Sequence, residues 1–187
     1  MLIGTVVFAL LAGWLKGGKL RLLAEIKLYG IWLIPLALAV QALVYWAAVK
    51  GIRLGPSWLA PVLHTASYGL LLIFVLLNFQ GPGVRVLGLG ILLNAVVIGF
   101  NGGLMPVDPA YLPEPNRLAL LAGQGTHSLM TEKTSLSFLA DRLFLYVPGL
   151  RREWFSIGDI LIDIGVFVLI FENMTRPRGH RIKSLAR

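Results

Sequence analysis

The sequence predicts an all-α integral membrane protein, a bundle of about five transmembrane helices with an outer lid formed by a loop and an amphipathic helix. The first observation is composition: of 187 residues, 57% are hydrophobic and only 14% are charged, with a mean hydropathy of +0.77. A soluble domain of this size needs more polar surface. The second is a set of separate apolar runs, and the third is the position of the basic residues between them.

The apolar runs give the predicted spans, which are residues 2–15, 28–49, 58–79, 84–100 and 157–171. A helix needs about 20 residues to cross a bilayer, so the second and third runs suffice while the first and fifth need flanking residues. With the intervening segment 101–155, these runs form one membrane domain over residues 1–175. A basic tail, residues 176–187, follows it.

Lys and Arg residues predict the orientation. They are concentrated directly after the first span and in the tail, whereas the loop between the second and third spans has only Lys50 and Arg53. The positive-inside rule then places the N-terminus outside and the C-terminus in the cytoplasm. The net charge of +8 is therefore a topology signal and not an indication of nucleic-acid binding. We expect the tail to contact anionic lipid headgroups.

The outer segment 101–155 opens with the residues NGGLMPVDP. Asn101 and the two glycines after it are typical of a helix end. Apolar residues follow at once, which favours a loop that lies against the membrane or dips into the protein. Further on, a set of mostly apolar residues at helical spacing predicts a short amphipathic helix: Leu136, Leu139, Ala140, Leu143, Phe144 and Val147. Asp141 falls off the apolar face of that helix. A carboxylate exposed to solvent and a carboxylate with a functional role are equally good interpretations of it.

Several polar residues fall at one depth in the predicted spans. At about 1.5 Å per residue, His64, Asn94 and Asp163 each lie roughly 9 Å below the outer end of their helix. Side chains of this kind are costly against lipid, so they are predicted to face a shared cavity open to the outer side. The candidate cavity residues are His64, Asn94, Asn101, Met105, His127 and Asp163. The alternative is that these side chains only hold the helices together. A His64–Asp163 pair fits both interpretations, as a contact between helices or as a proton relay.

The start of the fifth span has its own signature. Ser156-Ile157-Gly158-Asp159 fits the S-x-x-[DE] capping box, in which the serine caps the helix and the acid bonds back to the serine backbone. This accounts for Asp159 at the membrane interface. It does not account for Asp163, one turn deeper.

Two resemblances follow from these stretches. The ordered set NGGLMPV, THSLMTEKTSLSFLADRL and FSIGD is similar to a family of small bacterial integral membrane proteins of unknown function. Residues 141–165 resemble the C-terminal part of lipoprotein (type II) signal peptidases, membrane aspartic peptidases that cut ahead of a lipid-modified cysteine. That family has an aspartate followed, 18 or 19 residues later, by an F-N-x-A-D-like motif that begins the last helix. Here Asp141 and Asp159 are 18 residues apart.

The second resemblance implies that Asp141 and Asp159 form a catalytic dyad. Two close carboxylates do not both ionise readily, so one keeps a proton and acts as the acid while the other activates water. The chain departs from the family pattern at Ser156 and Gly158, where Asn and Ala are usual, and it has five predicted spans where that family has four.

The sequence thus favours an outward-facing aspartic hydrolase or peptidase acting on a peptide or lipid substrate. The alternatives are a non-enzymatic binder of a small molecule or lipid headgroup, a proton-coupled transporter, and a structural membrane subunit. No cofactor is predicted. The chain has no cysteine, and its Asp and His residues show no spacing that indicates a metal site. The sequence does not define the oligomeric state.

Overall fold

The computed structural model describes residues 2–145 and 153–176 of the chain. These residues are mostly helical. Their seven α-helices are α1 (Leu2–Leu15), α2 (Arg21–Ala24), α3 (Leu33–Val49), α4 (Leu59–Leu77), α5 (Val84–Phe100), α6 (Glu114–Leu121) and α7 (Ile157–Thr175). The predicted basic tail lies outside the described residues except for Arg176, so its contact with lipid headgroups stays a prediction.

The five long helices correspond to the five apolar runs. Helices α1 and α5 coincide with the predicted spans 2–15 and 84–100. Helix α3 begins at Leu33 and not at residue 28, because the chain turns at Gly30, whose φ is +64°. Helix α7 continues to Thr175, past the predicted end at residue 171, and stops at Arg176, directly before a proline.

Length and apolar composition single out α4 in the described part of the chain as the helix able to cross a membrane. Helices α1, α3 and α5 are apolar but shorter. A membrane bundle of five spans therefore stays a prediction, while the largely helical fold is confirmed.

The long helices pack in the order α1–α7–α5–α4–α3. Helices α1 and α7 run side by side in the same direction, since Thr5 hydrogen-bonds Asp163 near the start of both helices and Gly13 adjoins Met174 near their ends. Helices α5 and α7 run antiparallel and very close together. A methyl group on Gly90 would lie 2.4 Å from the backbone oxygen of Gly158, so glycine is what permits this approach.

Residues 101–145 and 153–156 form a cap segment over the end of the bundle where α5 ends and α7 begins. Strand β1 (Met105–Val107) pairs in parallel with β2 (His127–Leu129), and β3 (Leu143–Leu145) pairs antiparallel with β4 (Glu153–Phe155). Asp141 lies on the other side of β1, bridged to Val107. The cap segment thus combines short strands with one helix, α6.

The amphipathic helix predicted across residues 136–147 is wrong. Leu136 adopts a left-handed conformation with φ 53°, residues 137–139 make a single 3₁₀ turn, and Ala140 is extended. Residues 143–145 then form β3. Val147, the last residue of the predicted helix, lies outside the described residues. The helical spacing of the apolar residues was overridden by strand pairing with distant parts of the chain.

Candidate functional site

Asp159 is fixed by the capping box at the start of α7. The Ser156 hydroxyl accepts a hydrogen bond from the Asp159 backbone N–H at 3.0 Å, and Asp159 Oδ2 accepts one from the Ser156 backbone N–H at 2.8 Å. The predicted capping box is therefore confirmed. It leaves the carboxylate half-buried, with Oδ1 free to meet a partner from another helix.

Asn94 of α5 is that partner. Its Nδ2 donates to Asp159 Oδ1 at 2.8 Å, and its Oδ1 lies 2.9 Å from the Ser156 hydroxyl. A methyl group on Gly158 would lie only 2.0 Å from Asn94 Oδ1. The glycine in this motif therefore makes room for an asparagine that arrives from a different helix and holds the aspartate.

Asp141 reaches the same region on an extended stretch. Its backbone N–H donates to the Pro106 carbonyl and its own carbonyl accepts from the Asp108 N–H, both at 3.0 Å. The side chain is buried, so the interpretation of Asp141 as a solvated carboxylate is wrong. Within the described residues, its Oδ1 has no hydrogen-bond partner. Burial, and secondly the negative charge of Asp159, raise the pKa of the Asp141 carboxyl to about 7.

His127 faces Asp141 from β2. Its Nε2 lies 3.6 Å from Asp141 Oδ2, and 43% of the histidine side chain is exposed. Burial, and secondly the neighbouring His64, lower the pKa of His127 to about 4, while Asp159 acts in the opposite direction. Water that reaches the exposed part of the ring limits this lowering. The imidazole is neutral at pH 7 in either case, so the contact with Asp141 is not an ion pair at that pH.

His64 of α4 is buried and held by the turn after α5. Its Nδ1 lies 2.6 Å from the Gly103 carbonyl oxygen. Because a carbonyl only accepts, Nδ1 carries the proton and Nε2 is left as an acceptor when the ring is neutral. The ring also meets Tyr68, one helical turn further on, edge to face at 5.7 Å between centroids.

A cavity of about 350 Å³ joins these groups. It is lined by Leu38, Gln41, Ala42, Tyr45, His64, Tyr68, Asn94, Met105, Thr126, His127, Asp141 and Asp159. Six of the eight residues proposed from the sequence thus share one cavity. Tyr68 is an additional member that sequence reasoning missed, although it follows His64 at the i+4 spacing that places both on one helical face.

The other two proposed residues lie elsewhere. The Asn101 side chain amide donates to the Val97 and Ser135 carbonyls and accepts from the Ser135 N–H, so it fastens the cap segment to α5. Asp163 hydrogen-bonds Thr5 of α1 and lines a larger cavity of about 900 Å³, which also includes Asp141 and Asp159. His64 and Asp163 therefore have different partners, Gly103 and Thr5.

Gln41 connects two helices at the edge of the small cavity. Its Nε2 donates to the Ser67 hydroxyl at 2.9 Å, and that hydroxyl donates to the His64 carbonyl at 2.6 Å. This contact joins α3 to α4 next to His64. The residues that the structure describes contain no group of three or more His, Asp or Glu side chains placed to hold a metal ion.

Comparison with known proteins assigns a family. No solved structure matches the chain. An uncharacterized protein of Thermotoga maritima is 33% identical over 117 residues, which cover 63% of this chain and 66% of that protein, just under two thirds of its length. Residues 25–171 match the profile of the family of unknown function DUF5317. This match spans most of the chain, including every residue that lines the smaller cavity, and the protein therefore belongs to the DUF5317 family.

Proposed function

We propose that the protein is an aspartic hydrolase of the bacterial cytoplasmic membrane, which cleaves an amide bond of a peptide substrate at the outer face. The observation that carries the proposal is the meeting of Asp141 and Asp159 in one cavity, although they come from the cap segment and from α7. The two carboxyls interact electrostatically. Aspartic peptidases likewise use two neighbouring carboxyl groups, one protonated and one ionised.

The surroundings of the two carboxyls favour different roles. Asp159 accepts hydrogen bonds from Asn94 and from the Ser156 backbone, which are donors suited to a carboxylate. Asp141 is buried, has one oxygen without a partner, and has its pKa raised to about 7. Asp159 is therefore assigned as the base and Asp141 as the acid.

The reaction then needs only water and these two groups. Water attacks the amide carbonyl carbon, Asp159 takes the water proton, and Asp141 gives its proton to the carbonyl oxygen. The tetrahedral intermediate collapses as the C–N bond breaks and the proton held by Asp159 passes to the leaving nitrogen. One hydroxyl of the intermediate returns a proton to Asp141, which regenerates both groups. Asn94 acts as a positioning residue, because it contacts Asp159 and not the reacting atoms.

The membrane setting is supported by the outer surfaces of the long helices. Large apolar side chains are exposed along them, among them Phe8, Trp14, Leu76 and Phe100. An apolar surface of this extent suits a lipid environment. In the proposed topology the N-terminus and the cap segment lie outside, which places the carboxyl pair near the outer interface.

The test is cleavage of a lipid-modified signal-peptide substrate by the purified protein in lipid nanodiscs, with products identified by mass spectrometry. Asp141→Asn and Asp159→Asn should each reduce cleavage to background. Glu132→Gln, an exposed acid of the cap segment outside the cavity, is the matched control and should keep full activity. Cleavage that persists in both aspartate variants would refute the dyad.

A non-enzymatic binder or proton-coupled transporter is the second candidate, because the larger cavity continues past the dyad to Asp163. It predicts that ligand binds without being consumed and that Asp163→Asn, not Asp141→Asn, impairs the effect. A purely structural subunit is supported less well, since it requires every acid to be paired, whereas Asp141 Oδ1 is without a partner among the described residues.

A further inference from the structure

The packing order of the helices leaves one side of the bundle open. Neighbours in the order α1–α7–α5–α4–α3 pack closely, whereas the two helices at the ends of this series make little contact with each other in the part of the chain that the structure describes. The five helices therefore form an incomplete ring, with a gap between α1 and α3.

The larger cavity lies inside this ring and reaches the gap. Leu2 of α1 and Leu38 of α3 both line the cavity, and both are about half exposed, at 47% and 51%. Residues with one side in a cavity and the other on the surface mark its rim. The cavity thus opens sideways, toward the apolar surface of the bundle and not only through the cap segment.

The cavity has a polar end and an apolar end. Under the cap segment it is lined by Asp141, Asp159 and His127, and deeper in the bundle by apolar side chains such as Leu71, Phe74 and Val166. Two buried polar atoms without a partner in the described residues, Asp141 Oδ1 and Trp154 Nε1, belong to residues of this lining. The carboxyl groups of Asp141 and Asp159 make this end of the cavity suitable for a polar group.

The size and the two ends of the cavity suit an amphiphile. Its volume of about 900 Å³ is large enough for an extended hydrocarbon chain together with its polar head. The polar end matches the head, and the apolar end matches the chain.

We propose that the cavity binds an amphiphile with an acyl chain, which enters from the bilayer through the gap between α1 and α3 and places its polar head beside Asp141 and Asp159. The inference rests on the proposed function, in that it names the substrate class of the same site. Binding and access do not depend on hydrolysis, so each can be tested by itself.

The experiment uses a bulky block at the rim. The chain has no cysteine, so Leu38→Cys can be labelled with a large maleimide as the only reactive thiol. Leu43→Cys is the matched control, because Leu43 lies on the same helix and is 49% exposed but does not line the cavity. Both proteins, in nanodiscs, receive a lysophospholipid whose acyl chain carries a photoreactive diazirine, and crosslinked residues are mapped by mass spectrometry.

In the unlabelled proteins the crosslinks should fall on cavity residues such as Leu71 and Val166. Labelling at position 38 should reduce them about tenfold, and labelling at position 43 should leave them unchanged. A parallel experiment uses an acylated peptide that carries the same diazirine chain. Whichever of the lysophospholipid and the acylated peptide competes better against crosslinking by the other is the preferred ligand. Crosslinks confined to the outer helix surfaces, or lost equally with both labels, would overturn the proposal.

The outcome also separates this inference from the hydrolase proposal. Correct crosslinks without any cleavage of the acylated peptide would leave the binding site standing and remove the hydrolase. Cleavage that is unaffected by the label at position 38 would keep the hydrolase and remove access through the gap.

Discussion

Replacing Asp141 with asparagine should make the protein more stable at neutral pH, although it removes a residue proposed for catalysis. The pKa of Asp141 is raised from 3.8 to about 7 in the folded protein. Between these values the folded state binds more protons than the unfolded state, so this carboxyl lowers the stability as the pH rises. Asparagine keeps the shape of the neutral acid and removes this dependence.

The magnitude follows from the shift. A difference of roughly 3 pKa units between the folded and unfolded states lowers the free energy of unfolding by about 4 kcal/mol once the carboxyl is ionised in both, at about 1.36 kcal/mol per unit. Most of this loss of stability occurs at pH values below about 7, the pKa of Asp141 in the folded protein. The stability of Asp141→Asn relative to the wild type should therefore increase by about 2 kcal/mol from pH 5 to pH 7.

The assay is equilibrium unfolding in detergent micelles, followed by the fluorescence of the five tryptophans. His127 acts in the opposite direction over part of this range, because its pKa is lowered toward 4. The comparison of variant with wild type at each pH reduces that contribution. Glu132→Gln should show no such trend. A stability difference for Asp141→Asn that is constant from pH 5 to pH 7, or that decreases, would refute the claim that burial keeps this carboxyl protonated.

Two further substitutions test the packing around the site and the end of the bundle away from it. Gly158→Ala should push Asn94 away from the Asp159 carboxylate. Steady-state kinetics should then show kcat lowered by about 10- to 100-fold, the equivalent of one lost hydrogen bond to a charged group. Gly69→Ala is the control and should retain wild-type kcat, because no atom lies within 4 Å of the carbon added at this helical glycine. Asn78→Leu should lower the free energy of unfolding by about 1–3 kcal/mol. The Asn78 side chain accepts a hydrogen bond from the Tyr29 N–H at 2.9 Å and donates one to the Tyr29 carbonyl at 2.8 Å. An unchanged free energy of unfolding would mean that these two hydrogen bonds contribute nothing to stability.

The helices were predictable where local sequence determines them. The run 84–100 is continuously apolar apart from Arg85 and Asn94, and it ends at Asn101 in the structure as in the prediction. The start of α3 was misplaced because the residues before Leu33 are as apolar as the helix itself. Their turn depends on the side chain of Asn78, which is 49 residues distant from Tyr29, and no local pattern reports such a contact.

The site was predictable to a similar degree. Four consecutive residues that match the capping box predicted the position of Asp159. The similar depths of His64 and Asn94 in their helices predicted that these two side chains line one cavity. The position of Asp141 was not predictable from periodicity, since its backbone pairs with Pro106 and Asp108, more than 30 residues earlier. Pairing over such a separation is set by the tertiary fold, and an apolar spacing that happens to match a helix is then misleading.

The parallel pairing of α1 with α7 has a consequence for how the protein forms during synthesis. The helix that carries Asp159 is the last of the seven to leave the ribosome, and it inserts between the first helix and α5. Until then the close-packing glycine face of α5 and the amide of Asn94 have no partner. The two carboxyl groups therefore cannot come together on a partly made chain, and the cavity that they line is completed only after α7 has been translated.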